Sequence, residues 1–186
     1  MVYTNGTYIA WHEADGGIRS GFDRKYYPLL KTWTLKKDDD FAMLNSQAKM
    51  EAERDTAKRE KLVAFLKTKI SVSRHLLLIV GQETRHDTQW VPMEIGYAVD
   101  ERQLPVIAAY VNYEYVLAPT YLSDLWPTAL KNRIDANTAQ VMHIPFQKKP
   151  LKTALHQFNP SNRPTGPLAH YSEAAFKQWG LIKKDP

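Results

Sequence analysis

One carboxylate in this sequence has surroundings that suit catalysis. Glu94 lies four residues after Trp90 and has apolar neighbours on both sides in the chain. A helix brings residues four apart onto one face, so the indole and the carboxylate would be neighbours. Pro92 is tolerated only in the first turn of a helix, and Asp87 or Thr88 can act as the N-cap, which places Glu94 near a helix N-terminus. A carboxylate there can act in catalysis or bind sugar hydroxyls; the alternative is a partly exposed glutamate that only complements the helix dipole.

Two apolar runs enclose this segment and would position it. Residues 76–80 and 106–111 are rich in aliphatic and β-branched side chains. That length and composition predict strands buried on both faces of a parallel sheet. A strand, a loop, a helix and a second strand make a βαβ unit, and ligands in open α/β sheets bind at the carboxyl ends of the strands. Residues 82–94 therefore lie where this architecture places active sites.

The remaining patterns predict one α/β domain over residues 1–158, followed by a C-terminal extension over residues 159–186. We expect five parallel strands near residues 7–11, 41–44, 76–80, 106–111 and 140–144. Helical spacing of apolar residues predicts helices over residues 22–33, 60–70, 90–101, 128–134, 150–158 and 171–179. Pro28 interrupts the first helical pattern, so that helix is expected to be kinked or to start later.

Several further residues follow the predicted strands at the same edge of the sheet. Because the carboxyl ends of parallel strands meet there, we expect them to form one pocket. Around Glu94 as the catalytic residue, the predicted substrate-binding residues are Ala10, Trp11, His12, Asn45, Ser46, Thr84 and Trp90. The glycines at 16, 17 and 21 either let backbone amides approach a phosphate or form an ordinary turn.

The composition argues against several other kinds of chemistry. The 186 residues include no cysteine, so neither a disulfide framework nor a thiolate nucleophile is expected. The six histidines are scattered and the acidic run at 38–40 is typical of a solvated loop, so we expect no metal site. The net charge of +5 is interleaved with acids, which favours a basic surface over a nucleic-acid site and leaves an anionic ligand open. With no long apolar run and no signal peptide, we expect a cytoplasmic protein without membrane contact.

In its order of motifs, the chain resembles bacterial TIR-like domains, and among them the sensor proteins of Thoeris antiphage defence. The segment Trp-Val-x-x-Glu-Ile at residues 90–95 is similar to the signature helix of that family. The other matching segments are residues 8–12, 30–33, 68–74, Gly81 with Thr84, and 105–107. Asn45 departs from the family pattern, because relatives often carry Asp-Ser where this chain has Asn45-Ser46. The resemblance covers roughly residues 7–111 and little of the C-terminal part.

This resemblance implies a flavodoxin-like three-layer sandwich with strand order 2-1-3-4-5, and cleavage of NAD at the nicotinamide–ribose bond by Glu94. NAD would be the substrate, with no resident cofactor. Nicotinamide leaves a cationic glycoside as a neutral molecule, so a single carboxylate that stabilises the oxocarbenium-like transition state suffices. The acceptor is either water, giving ADP-ribose, or a nucleophile of the same molecule, giving a cyclic product. The family also implies that a subunit contact completes the site and that the product signals to a separate effector protein.

Two other functions stay open from the sequence. A TIR-like domain can be a non-catalytic module that binds partners or a nucleotide. A nucleoside deoxyribosyltransferase-like enzyme uses a similar fold with a glutamate nucleophile. Incubation of the purified protein with NAD and with a deoxynucleoside separates these possibilities.

Overall fold

The computed structural model describes residues 6–12, 26–33, 41–43, 49, 52 and 55–183. Within these residues one parallel sheet runs through the protein, in the order β2-β1-β3-β4-β5-β6. Its strands are β1 (Gly6–Ala10), β2 (Phe41–Met43), β3 (Ser73–Val80), β4 (Val106–Tyr110), β5 (Val141–Pro145) and β6 (Ala169–His170). Every pairing between neighbouring strands is parallel. The predicted parallel α/β sheet and the order 2-1-3-4-5 are therefore confirmed.

The sixth strand, β6, was not predicted from the sequence. β6 is two residues long and extends the sheet beyond β5, with Met142 opposite Ala169 and His143 opposite His170. It follows a segment with three prolines and a glycine, which carries no apolar alternation that would predict a strand. The predicted domain boundary at residue 158 stays a prediction, although this later part of the chain pairs with the sheet.

Helices cover both faces of the sheet and make three layers. The described α-helices are α1 (Tyr27–Trp33), α2 (Thr56–Ser71), α3 (Trp90–Gly96), α4 (Thr128–Asp135), α5 (Lys148–Gln157) and α6 (Glu173–Trp179). Side chains of α2, α3 and α4 pack with one face of the strands in the first apolar cluster. Side chains of α1 and α5 pack on the other face in the second cluster. Helices cover both faces, so the central strands carry aliphatic residues in both orientations.

The structure gives the helix boundaries in more detail than the sequence predicts. α2 begins at Thr56 rather than at residue 60, because the Asp55 side chain accepts hydrogen bonds from the amides of Ala57 and Lys58. The described first helix begins at Tyr27, which places Pro28 in its first turn, and residues 22–25 lie outside the described part. The helix predicted over residues 90–101 ends its α-helical part at Gly96 and continues as the π-helical turn Tyr97–Glu101. None of the described helices is long and apolar enough to cross a membrane.

Candidate active site

The start of α3 is tied to the end of β1 by one aspartate. Oδ1 of Asp87 accepts hydrogen bonds from the backbone amides of Gln89, at 2.8 Å, and Trp90, at 2.9 Å. Its Oδ2 lies 3.0 Å from Nδ1 of His12, just past β1. The N-cap residue by position is Gln89, so the predicted N-cap at Asp87 or Thr88 is early. Asp87 nevertheless satisfies the free amides of the first turn, as a capping side chain does.

Asp87 is held in its ionised form. Burial opposes its ionisation, but the hydrogen bonds from His12 and from the Gln89 amide outweigh this and lower the pKa of Asp87 below its ordinary value. A fixed negative charge therefore lies just before the helix start, seven residues before Glu94. Its contacts also pin His12 to this edge of the sheet.

Glu94 is fully buried, with no exposed surface on its side chain. Its Oε1 accepts a hydrogen bond from the Tyr8 hydroxyl at 2.9 Å and lies 3.6 Å from Nζ of Lys49. Its Oε2 has no hydrogen-bond partner among the described residues. A buried carboxylate oxygen without a partner is costly, so Oε2 is an acceptor that a ligand would satisfy once the site opens to it.

The protein environment brings the titration of Glu94 close to neutral pH. The pKa of Glu94 is raised to about 7, chiefly by burial; the charge of Asp87 acts in the same direction, while Lys49 and the Tyr8 hydroxyl lower it. Desolvation disfavours the charged form of a carboxyl group, and a nearby cation or donor favours it. A carboxyl group poised in this way is typical of functional sites.

Lys49 contributes a buried cation that the sequence analysis did not identify. Its Nζ donates a hydrogen bond of 2.9 Å to the backbone carbonyl of Trp11 and lies 4.9 Å from the centre of the Trp11 ring. Its side chain is 8% exposed, which is rare for a lysine. No sequence pattern marks this position, because residues 48–60 are strongly charged and predict only a helical or partly ordered segment.

The two tryptophans predicted for the pocket lie on opposite faces of the sheet. Trp90 packs with Tyr8 and Ala10 in the first apolar cluster, whereas Trp11 packs in the second. Both side chains are buried. The Arg59 guanidinium lies 5.2 Å from the centre of the Trp90 ring. Nε1 of Trp90 has no hydrogen-bond partner in the described part of the chain, so it is a second unsatisfied group on the helix that carries Glu94.

The remaining predicted substrate-binding residues differ in where the structure places them. Ala10 is fully buried in the sheet, and Thr84 is occupied in the loop after β3. Oγ1 of Thr84 accepts from the Gly81 amide at 2.8 Å and donates to the Ile79 carbonyl at 3.3 Å, which closes that loop. Asn45 and Ser46 lie outside the described residues. The roles assigned to these residues in substrate binding stay predictions.

The structure thus brings Trp11, His12, Trp90 and Glu94 to one edge of the sheet, linked through Asp87 and Lys49. Lys49 bridges the end of β1 to Glu94, because one ammonium group contacts the Trp11 carbonyl and the Glu94 carboxylate. Chemically, the arrangement offers one carboxylate that titrates near neutrality and has one free oxygen. No group of three or more acidic or histidine residues among the described ones could hold a metal ion.

Comparison with known families agrees with the observed fold. A family model described as the TIR-like domain of the Thoeris protein ThsB matches residues 8–115, which is more than half of the chain. The matched segment contains the end of β1, all of β2 to β4, Lys49, Asp87 and the whole of α3. No curated protein matches the chain.

Proposed function

The chain belongs to the family of TIR-like domains of the Thoeris protein ThsB and so has a TIR-like role in antiphage defence, from which we propose that it is an NAD-consuming enzyme. The proposed reaction breaks the nicotinamide–ribose bond of NAD, the substrate, in the cytoplasm. It yields nicotinamide and an ADP-ribose-type product, either linear or cyclic. The observation that carries the proposal is the buried carboxylate of Glu94, whose Oε2 has no described partner while Oε1 is held by Tyr8 and Lys49.

The proposed role of Glu94 is electrostatic. As the bond to nicotinamide breaks, positive charge develops on the ribose, and a preorganised carboxylate in a dry site stabilises it. Oε2 is free to accept a hydrogen bond from a ribose hydroxyl, whereas Oε1 is occupied. Nicotinamide departs as a neutral base, so the site needs no general acid. The acceptor of the ribosyl group is water or a nucleophile within the same ADP-ribosyl unit.

This role requires the ionised form of Glu94. Because the pKa of Glu94 is raised to about 7, we expect NAD turnover to rise with pH through neutrality. A protonated glutamate cannot stabilise an oxocarbenium ion in the same way, so the acid limb of the pH profile should report this group.

Substitution of Glu94 tests the proposal. Glu94→Gln keeps the shape and removes the charge, and we expect it to lower NAD turnover at least about 100-fold. Glu101→Gln changes an exposed glutamate in the π-helical turn that follows α3, and should leave turnover unchanged. Chromatography of nicotinamide release measures both variants. Equal rates for the Glu94→Gln variant and the wild type, where the wild type is active, would refute the catalytic assignment.

The proposed signalling role has its own test. We propose that a small-molecule product, preferably cyclic, acts on a separate effector protein, which rests on the family alone. The product mixture, freed of protein, is added to candidate effectors and their activity is measured, with and without lysate of infected cells as a trigger. If the only products are linear ADP-ribose and nicotinamide, and neither activates an effector, the signalling role fails while NAD hydrolysis stands.

One observation favours a second candidate function. The Glu94 side chain is fully buried, so in this conformation a substrate cannot reach it. A non-catalytic TIR-like module that binds a partner or a nucleotide would need no access to this carboxylate.

For the enzyme, we propose that self-association opens and completes the site. Measuring turnover across protein concentrations separates the two: an enzyme of this kind gains specific activity with concentration, and a binding module has none at any concentration.

A further inference from the structure

Lys49 lies at the candidate site without a role in the reaction proposed above. Its ammonium group hydrogen-bonds the Trp11 carbonyl at 2.9 Å and stands 3.6 Å from Oε1 of Glu94. The shorter contact is with the backbone, so the ammonium is anchored on the chain just after β1 rather than on the carboxylate. The longer contact brings a positive charge next to Glu94 without occupying its second oxygen.

We propose that Lys49 is a positioning residue that, anchored on the Trp11 carbonyl, favours the carboxylate form of Glu94 inside the buried site. The inference rests on the proposed function, because it assigns Lys49 a part in keeping the catalytic group in its reactive form. A cation within about 4 to 6 Å favours the ionised form of a carboxyl group, and burial of the pair strengthens this effect. Both side chains are at least nine-tenths buried, so solvent screens the pair little.

The other groups around Glu94 do not replace this cation. Among the described residues, Tyr8 on β1 donates a neutral hydrogen bond, and Asp87 before α3 carries a negative charge that disfavours a second carboxylate. The His12 side chain is hydrogen-bonded to Asp87. Arg59 on α2 faces the ring of Trp90 and the side chain of Gln89. Lys49 therefore supplies the positive charge that counters part of the desolvation of Glu94.

The titration of Glu94 measures the inference directly and without turnover. Protein labelled with ¹³C at the glutamate side-chain carboxyl is followed by NMR across pH, and Glu94→Gln identifies the resonance. Lys49→Gln removes the charge and keeps an N–H donor for the Trp11 carbonyl. We expect the midpoint of Glu94 to move up by about one pH unit or more in this variant. Lys49→Arg should restore it, and Lys61→Met, on the exposed face of α2, should leave it unchanged.

Activity measurements separate Lys49 from a residue that binds the substrate. In Lys49→Gln, the acid limb of kcat against pH should shift upward with the Glu94 midpoint, while KM for NAD at high pH stays near the wild-type value. If KM rises and the acid limb stays in place, Lys49 binds the pyrophosphate of NAD and the inference is overturned. An unchanged NMR midpoint in a folded Lys49→Gln variant also overturns it.

Two further outcomes have a defined meaning. If Lys49→Gln does not fold, the same titration is run on Lys49→Met, whose stem fills the same apolar space without the charge, and an unchanged midpoint there counts against the inference. If the wild type consumes no NAD but the midpoint of Glu94 still moves with the charge at residue 49, the proposed function fails while the inference about Lys49 stands.

Discussion

Two clusters of buried polar groups lie in this sheet, and they differ in how completely their hydrogen bonds are made. The carboxylate cluster consists of Tyr8, Lys49 and Glu94. The histidine network consists of Trp126, Tyr110 and His143, together with the carbonyl of Pro167. Both occupy interior positions of the same parallel sheet or its covering layer. Buried polar groups with all their hydrogen bonds made stabilise the fold, whereas unsatisfied ones leave a donor or acceptor for a ligand.

The histidine network is a closed chain of donors and acceptors. Nε1 of Trp126 donates to the Tyr110 hydroxyl at 2.6 Å, and that hydroxyl lies 2.6 Å from Nδ1 of His143. Nε2 of His143 lies 2.9 Å from the Pro167 carbonyl. Because the carbonyl can only accept, Nε2 carries the proton, and Nδ1 accepts from the tyrosine. Every member has a partner, so the network fixes one arrangement of strands β4 and β5.

The carboxylate cluster and the helix that carries Glu94 leave polar groups unsatisfied. Oε2 of Glu94 and Nε1 of Trp90 have no partner among the described residues, although they lie on the same short helix. Unpaired buried polar atoms cost stability, and a fold retains them where they have another use. This difference is why we assign ligand chemistry to the first cluster and a structural role to the second.

The largest expected effect is destabilisation at acid pH through two buried histidines. They are His143 of the histidine network and His75 on β3. Burial lowers the pKa of His143 to about 4, and it lowers the pKa of His75 in the same way to about 4. The unfolded chain binds these protons near the ordinary pKa of 6.5, so native stability is full above that value and is lost as pH falls through 4. Each histidine should then cost about 3 kcal/mol.

Urea unfolding at pH 7.5 and pH 4.5 measures this loss. The experiment is done in the Glu94→Gln variant, since Glu94 titrates in the same range with the opposite sign. His86→Gln, which changes an exposed histidine, is the control and should leave the difference unchanged. Equal free energies of unfolding at the two pH values would mean that these histidines are not buried as neutral groups.

The next effect concerns the carboxylate cluster and has the opposite sign. Because burial raises the pKa of Glu94 from 4.5 to about 7, the native state is most favoured below pH 4.5 and loses stability as pH rises through 7. Glu94→Gln removes this loss and should be more stable than the wild type at pH 8 by up to about 3 kcal/mol, but not at pH 4.5. Thermal unfolding at both pH values tests this, with Glu101→Gln expected to match the wild type. If Glu94→Gln is less stable than the wild type at pH 8, the buried carboxylate carries no stability cost at that pH, and the contrast with the histidine network fails.

A smaller effect is expected for one bond of the histidine network. Tyr110→Phe leaves Nδ1 of His143 and Nε1 of Trp126 without a described partner, which should lower the free energy of unfolding by about 2 kcal/mol at pH 7.5. Tyr121→Phe, at a side chain 88% exposed, should change it by less than about 0.5 kcal/mol. Urea unfolding measures both. A neutral Tyr110→Phe would show that the network contributes no more than its apolar packing.

The smallest effect is expected at the rim of the carboxylate cluster. Arg59 lies over the Trp90 ring and donates to the Gln89 side chain at 3.0 Å, both partly exposed contacts. Arg59→Ala should therefore cost less than about 1 kcal/mol in urea unfolding at low salt. Lys61→Ala on the same helix is the control. A loss larger than this would indicate that Arg59 is part of the buried site.

The sequence was informative where burial and spacing act locally. Strands β3 and β4 were predicted because a strand covered on both faces needs a run of aliphatic side chains, and the chain has such runs. The position of Glu94 near a helix start was predicted because Trp90 and Pro92 constrain the helix locally. The strand order came from the resemblance to TIR-like domains, since apolar patterns do not specify which strands are neighbours.

Only the tertiary structure decided how the charges are paired. Lys49 and Glu94 are far apart in the chain, and a lysine in a charged segment looks solvated because nothing nearby reveals the buried partner. The histidine network joins β4, β5 and two loops in the same way, so no spacing in the sequence indicates it. Local patterns determine which faces are apolar. Which polar groups are left inside without a partner depends on contacts between distant segments, and in this protein those contacts define the candidate site.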